Sequence, residues 1–68
     1  MTQEVLRLER FLKKVTQAKI SKATGIPQAT LSRIERGERA AKPAEQKAIA
    51  RALGLSPGDL FPAQEAQP

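Results

Sequence analysis

The sequence predicts an all-α fold, a compact bundle of five short helices, and three observations carry that expectation. Apolar residues recur at spacings of three and four rather than two, the period of a helix with one buried face. Glycine and proline fall between these stretches, where helices end and begin. Aromatic residues are only 3% of the 68 residues against 40% apolar, so the core must be built from Leu, Ile, Val and Ala together with Phe11 and Phe61.

The first helix is expected over Thr2 to Lys14, with Val5, Leu8, Phe11, Leu12 and Val15 as its stripe and Thr2 as its N-cap. Thr16 caps a second helix of about two turns, with Ile20 and Ala23 on one face and Gly25 closing it. Pro27 is placed at the first position of a third helix, where its missing N–H costs nothing. Ile26, Thr30, Leu31 and Ile34 form that helix's inner side, and Gly37 ends it. After a connector over 38–42, a fourth helix runs from Pro43 to Gly54 with Ala48, Ile49, Ala52 and Leu53 inward. Ser56, Pro57 and Asp59 open a fifth, which buries Leu60 and Phe61. A chain this short holds one core, so residues 1–61 read as one domain and 62–68, with only alanines to bury, as a flexible tail.

Composition narrows the function. The chain has no Cys and no His, which removes disulfides, the usual zinc sites and the commonest general base. Its carboxylates are scattered and no glycine loop is shaped for phosphate, so neither an enzyme nor a bound cofactor or metal is expected. No apolar run approaches the ~20 residues of a membrane span, and the first residues do not read as a secretory signal, which makes the cytoplasm the expected location. The net charge is +5 and unevenly spread. Thr16 to Arg36 carries Lys19, Lys22, Arg33 and Arg36 against Glu35, a net +3, whereas 55–68 carries only Asp59 and Glu65. A basic middle on a small domain suits a phosphate backbone, and equally a solvated face.

The segment Gln17 to Gly37, QAKISKATGIPQATLSRIERG, has the spacing of two helices crossing through a tight turn. Ser21 is small where the helices approach, Gly25 accepts a positive φ, and Ile20, Ile26, Leu31 and Ile34 anchor the crossing. This segment resembles the helix-turn-helix of the lambda-repressor and Cro class, the xenobiotic response element family. The likeness continues through Ala52-Leu53-Gly54 and Ser56 to Phe61.

The resemblance implies a lambda-repressor-like DNA-binding domain with a recognition helix over about 27–36 in the major groove. It puts Gln28, Ala29, Ser32 and Arg33 at base edges, where a Gln amide suits adenine, an Arg fork guanine and a methyl group thymine. Thr30 is assigned across the crossing from Ser21. Gln17, Arg36, Arg39 and Lys42 are implied as phosphate contacts, with a merely solvated cationic loop as the plain alternative for the last three. Glu35 would repel phosphate and is assigned to an internal pair with Arg39 or Arg7.

Two positions depart from the family. It commonly has Gly in the first link, where this chain has Lys13-Lys14-Val15, so a tighter link or a differently angled first helix is expected. It often caps the recognition helix with Ser or Thr, where this chain has Pro27.

The function implied is sequence-specific binding of double-stranded DNA by a transcriptional regulator, a repressor acting as a homodimer on a palindromic operator. One small module discriminates too weakly alone. The fifth helix, with Leu60 and Phe61, and exposed residues of the first helix are the candidate dimer surfaces. The rival readings are a DNA-binding antitoxin partnered by a toxin, and a module that docks on polymerase or another protein without touching DNA.

Overall fold

The computed structural model describes residues 4–61, which form five α-helices: α1 Glu4–Leu12, α2 Gln17–Thr24, α3 Gln28–Glu35, α4 Pro43–Leu53 and α5 Pro57–Leu60. The expected tail at 62–68 and the Thr2 cap lie outside these residues. No strand occurs among those described. The helices pack as α2 on α3 and α4, α4 on α5, and α1 on α3 and α5.

Their shared core is Leu6, Ile20, Ile26, Leu31, Ile34, Ala41, Ile49, Ala50, Leu53, Leu60 and Phe61, with Val15 and Leu55 packed at its edge. Each large side chain in it supplies about 2 kcal/mol by leaving water. Phe61 and Leu60 are completely buried, which withdraws them as a dimer surface.

The local signals explain the boundaries. Thr16 Oγ1 accepts from the Lys19 N–H at 3.1 Å, capping α2. Pro43 opens α4, and Gly54, at φ 72°, closes it. Ser56 donates through its N–H and its hydroxyl to Asp59 Oδ2, at 3.2 and 2.8 Å, holding the first turn of α5.

Three inner faces differ from expectation. On α1 the buried residue is Leu6, with Arg10 half-buried one turn on, whereas Val5, Leu8, Phe11 and Leu12 are exposed. The stripe is real but points outward, because a helical period identifies a face without saying which way it looks. Ala23 on α2 is exposed, and on α4 Ala50 is buried where Ala52 was expected. Alanine marks a face weakly because it fits either side of a helix.

The first link is closed by a residue in an unexpected conformation. Lys14 takes φ 56°, the left-handed region that a glycine would occupy. The Val15 N–H then reaches Arg10 O at 2.9 Å and the Lys14 N–H reaches Phe11 O at 3.1 Å, which ends α1 as a Schellman-type turn. Lysine here does glycine's work.

Candidate nucleic-acid interface

The turn between α2 and α3 sets the angle of the outward helix. Gly25 takes φ 80° and its N–H reaches Ser21 O at 2.8 Å. A β-carbon there would meet nothing within 4 Å, so the backbone angle, not space, requires glycine. Thr24 Oγ1 donates to Ile20 O at 2.7 Å and accepts from the Ile26 N–H at 3.2 Å, locking the turn.

Pro27 stands one position earlier than expected. It is the N-cap, with ψ 141° and no side-chain cap, and its carbonyl accepts from the N–H groups of Thr30 and Leu31 at 3.0 and 3.1 Å. Gln28 is therefore the first helical residue.

Leu31 and Ile34 are buried under α3, while Gln28, Ala29, Arg33 and Arg36 are exposed on its other side and Ser32 is half-buried. Thr30 and Ser21, expected at the crossing, are both half-buried. The Arg33 guanidinium has no hydrogen-bond or ion-pair partner among the described residues. Ser32 Oγ accepts from Arg36 Nη1 at 2.6 Å, which leaves its proton as the group still able to donate.

The expected phosphate contacts divide into free and engaged groups. Lys42 is exposed at the head of α4, where its N–H donates to Glu45 Oε1 at 2.9 Å. Arg36 forms a two-toothed pair with Glu38, at 2.8 and 3.2 Å. That hydrogen bond first, and the opposite charge second, push the Glu38 carboxyl below and the Arg36 guanidinium above their ordinary values. Both groups face water, so a phosphate can exchange for the carboxylate at little cost. Arg39 pairs with Glu45 in the same forked way, at 2.8 and 3.1 Å, and the hydrogen bond again lowers the carboxyl and raises the guanidinium. This pair ties the loop after α3 to the first turn of α4.

Glu35 pairs with neither Arg39 nor Arg7. It is 6% exposed and accepts from Arg10 Nε at 2.7 Å, Arg10 Nη2 at 3.1 Å and Gln17 Nε2 at 3.0 Å. Three charged or polar donors compensate its burial. One carboxylate thus joins α1, α2 and α3, and it holds Gln17 by one amide hydrogen while the other stays available. Sequence reasoning missed Arg10, because nothing in the spacing shows that 10 and 35 meet.

An open cleft beside these groups is lined by Arg7, Arg10, Gln17, Ser32, Glu35 and Arg36. Arg7 was not counted among the site residues. Its signal was its position three residues before Arg10, on the same flank of α1.

A short helix anchored by Ile26, Leu31 and Ile34, with polar and basic side chains outward and a basic cleft alongside, defines a DNA-binding protein of the helix-turn-helix class. The family model described as helix-turn-helix matches residues 6–60. The chain belongs to that family, in its Cro and lambda-repressor type. No curated protein matches the chain.

Proposed function

We propose that the protein is a transcriptional repressor that binds a palindromic operator as a homodimer in the cytoplasm, each copy laying α3 in the major groove. The observation that carries the reading is Arg33, exposed on the outer side of α3 and held by no hydrogen bond or ion pair among the described residues, with only the charge of Glu38 acting on it from nearby. A free guanidinium fork at that place suits guanine O6 and N7. Gln28 and Ala29 stand one turn before it, and Ser32 beside it, to read neighbouring bases.

Gln17, Arg36, Arg39 and Lys42 take the phosphates on either side, joined by Arg7 from the cleft. Arg39 reaches a phosphate only by sharing itself with Glu45, so Arg36 and Lys42 carry more of this contact than Arg39.

The test is selection of bound duplexes from a random pool, followed by comparison of two variants on the winner. Arg33→Ala should lose about 1–3 kcal/mol on the operator and relax one position, while Arg36→Ala should weaken all duplexes alike. Equal losses from Arg33→Ala on operator and random duplex would overturn the base-reading role.

A further inference from the structure

Among the described residues, the large apolar side chains left exposed all lie on one helix. Val5, Leu8, Phe11 and Leu12 of α1 stand 38%, 55%, 78% and 63% exposed. Their spacing puts them on one stripe, on the side of α1 opposite Leu6 and Arg10. Side chains of this size and exposure leave on the order of 400 Å² of apolar surface, enough to mark a contact site.

We propose that this stripe is the surface through which two copies of the chain meet, with their α1 helices antiparallel about a two-fold axis near Leu8. The inference rests on the homodimer reading above and names its interface.

Shape favours a second copy. Phe11 is a ridge near the carboxy-terminal end of α1, and a groove lined by Glu4, Arg7, Leu8, Arg10 and Phe11 runs along the helix beside it. Antiparallel pairing lays the second copy's Phe11 in this groove and, by the two-fold, does so twice.

Charge selects the same orientation. Glu4 is in the first turn of α1, and Lys13 and Lys14 follow its last. Antiparallel helices set acid near base at both ends and oppose their dipoles favourably, whereas parallel ones set like against like.

Spacing and area describe a loose contact. Helix layers pack about 8–10 Å apart, so three such steps in line, from α3 through the two α1 helices to the second α3, put the recognition helices roughly 24–30 Å apart. One turn of duplex asks for ~34 Å. Two such patches bury roughly 800 Å², below the ~1,200 Å² of a standard stable interface. The dimer is therefore weak when free and strengthened when both copies sit on one duplex.

The experiment is sedimentation equilibrium of the whole chain and of its Leu8→Asp/Phe11→Asp variant, from micromolar into the millimolar range. Both positions are exposed, so the variant should keep its helicity and thermal midpoint. The wild type should move from the mass of one chain toward that of two, while the variant stays at one. On duplexes the variant should bind a single half-site like the wild type and lose at least tenfold on the full palindrome.

A variant that still dimerises would overturn the α1 surface and leave the dimer. A wild type that stays single throughout would overturn both. Failure of DNA binding shows separately, as no binding of either protein to the half-site, and the mass measurement, made without DNA, still decides the α1 surface.

Discussion

Lys14 shows how one residue can keep a turn that its type disfavours. An L-residue with a β-carbon in the left-handed region is strained by about 1–2 kcal/mol, yet at φ 56° the backbone closes α1 and points the chain into the Thr16 cap. Lys14→Gly removes that strain but gives the unfolded chain more freedom, so the net gain should be about 0.5–1 kcal/mol. Urea unfolding measures it, with Lys14→Asn expected between the two. A loss of stability on Lys14→Gly would mean that the lysine side chain makes a contact worth more than the strain. The absence of glycine at this link was legible in the sequence. That the turn persists without it was not, because propensity says what a residue prefers and not what its neighbours impose.

The helices themselves were legible where the chain carries punctuation. Gly25, Gly54, Pro43, Thr16 and the Ser56–Asp59 pair act locally, so their effect can be read without knowing the fold. What α1 packs against could not be read that way. Its inward contacts are Leu6 and an ion pair reaching from Arg10 to Glu35, 25 residues away, and no periodicity encodes a salt bridge. That pair makes α1 depend on α3. Arg10→Met should cost about 3 kcal/mol, because it leaves a carboxylate only 6% exposed without its cation, with Gln17 as the side-chain donor that remains. Adding Glu35→Gln should restore part of the loss, since a neutral amide tolerates burial better. Additive losses in a denaturant double-mutant cycle would show that the two do not act as a pair.

Within α4 the cap is sensitive to pH. Glu45 receives Arg39 and the Lys42 N–H, and the Arg39 hydrogen bonds hold its carboxyl below the ordinary value despite partial desolvation. A lowered native pKa means that the stabilisation is complete above the unfolded value, ~4.3, and is lost as pH falls through the native one. Glu45→Gln should therefore melt below the wild type at neutral pH, with the gap closing under about pH 4. Thermal unfolding across pH measures it, and a gap that stays constant would assign the cap's contribution to shape rather than charge.

At the scale of the whole molecule, the net charge of +5 acts through the cations that reach the duplex rather than through the total. Arg7, Arg36 and Lys42 face the interface, and Arg39 is half committed to Glu45, so each copy neutralises three to four phosphates on the proposed reading. Counterion release then gives a slope of log affinity against log salt of about −3 for one copy on a half-site. Two copies on a full palindrome should give about −6 from the phosphate contacts alone, because each copy brings its own set of cations. Titrating both duplexes by fluorescence anisotropy over a range of salt measures the ratio. Equal slopes on the two would mean that one copy occupies the palindrome. A ratio well above two would bring in the cations at the junction, Lys13 and Lys14, which stand beside the stripe of Val5, Leu8, Phe11 and Leu12.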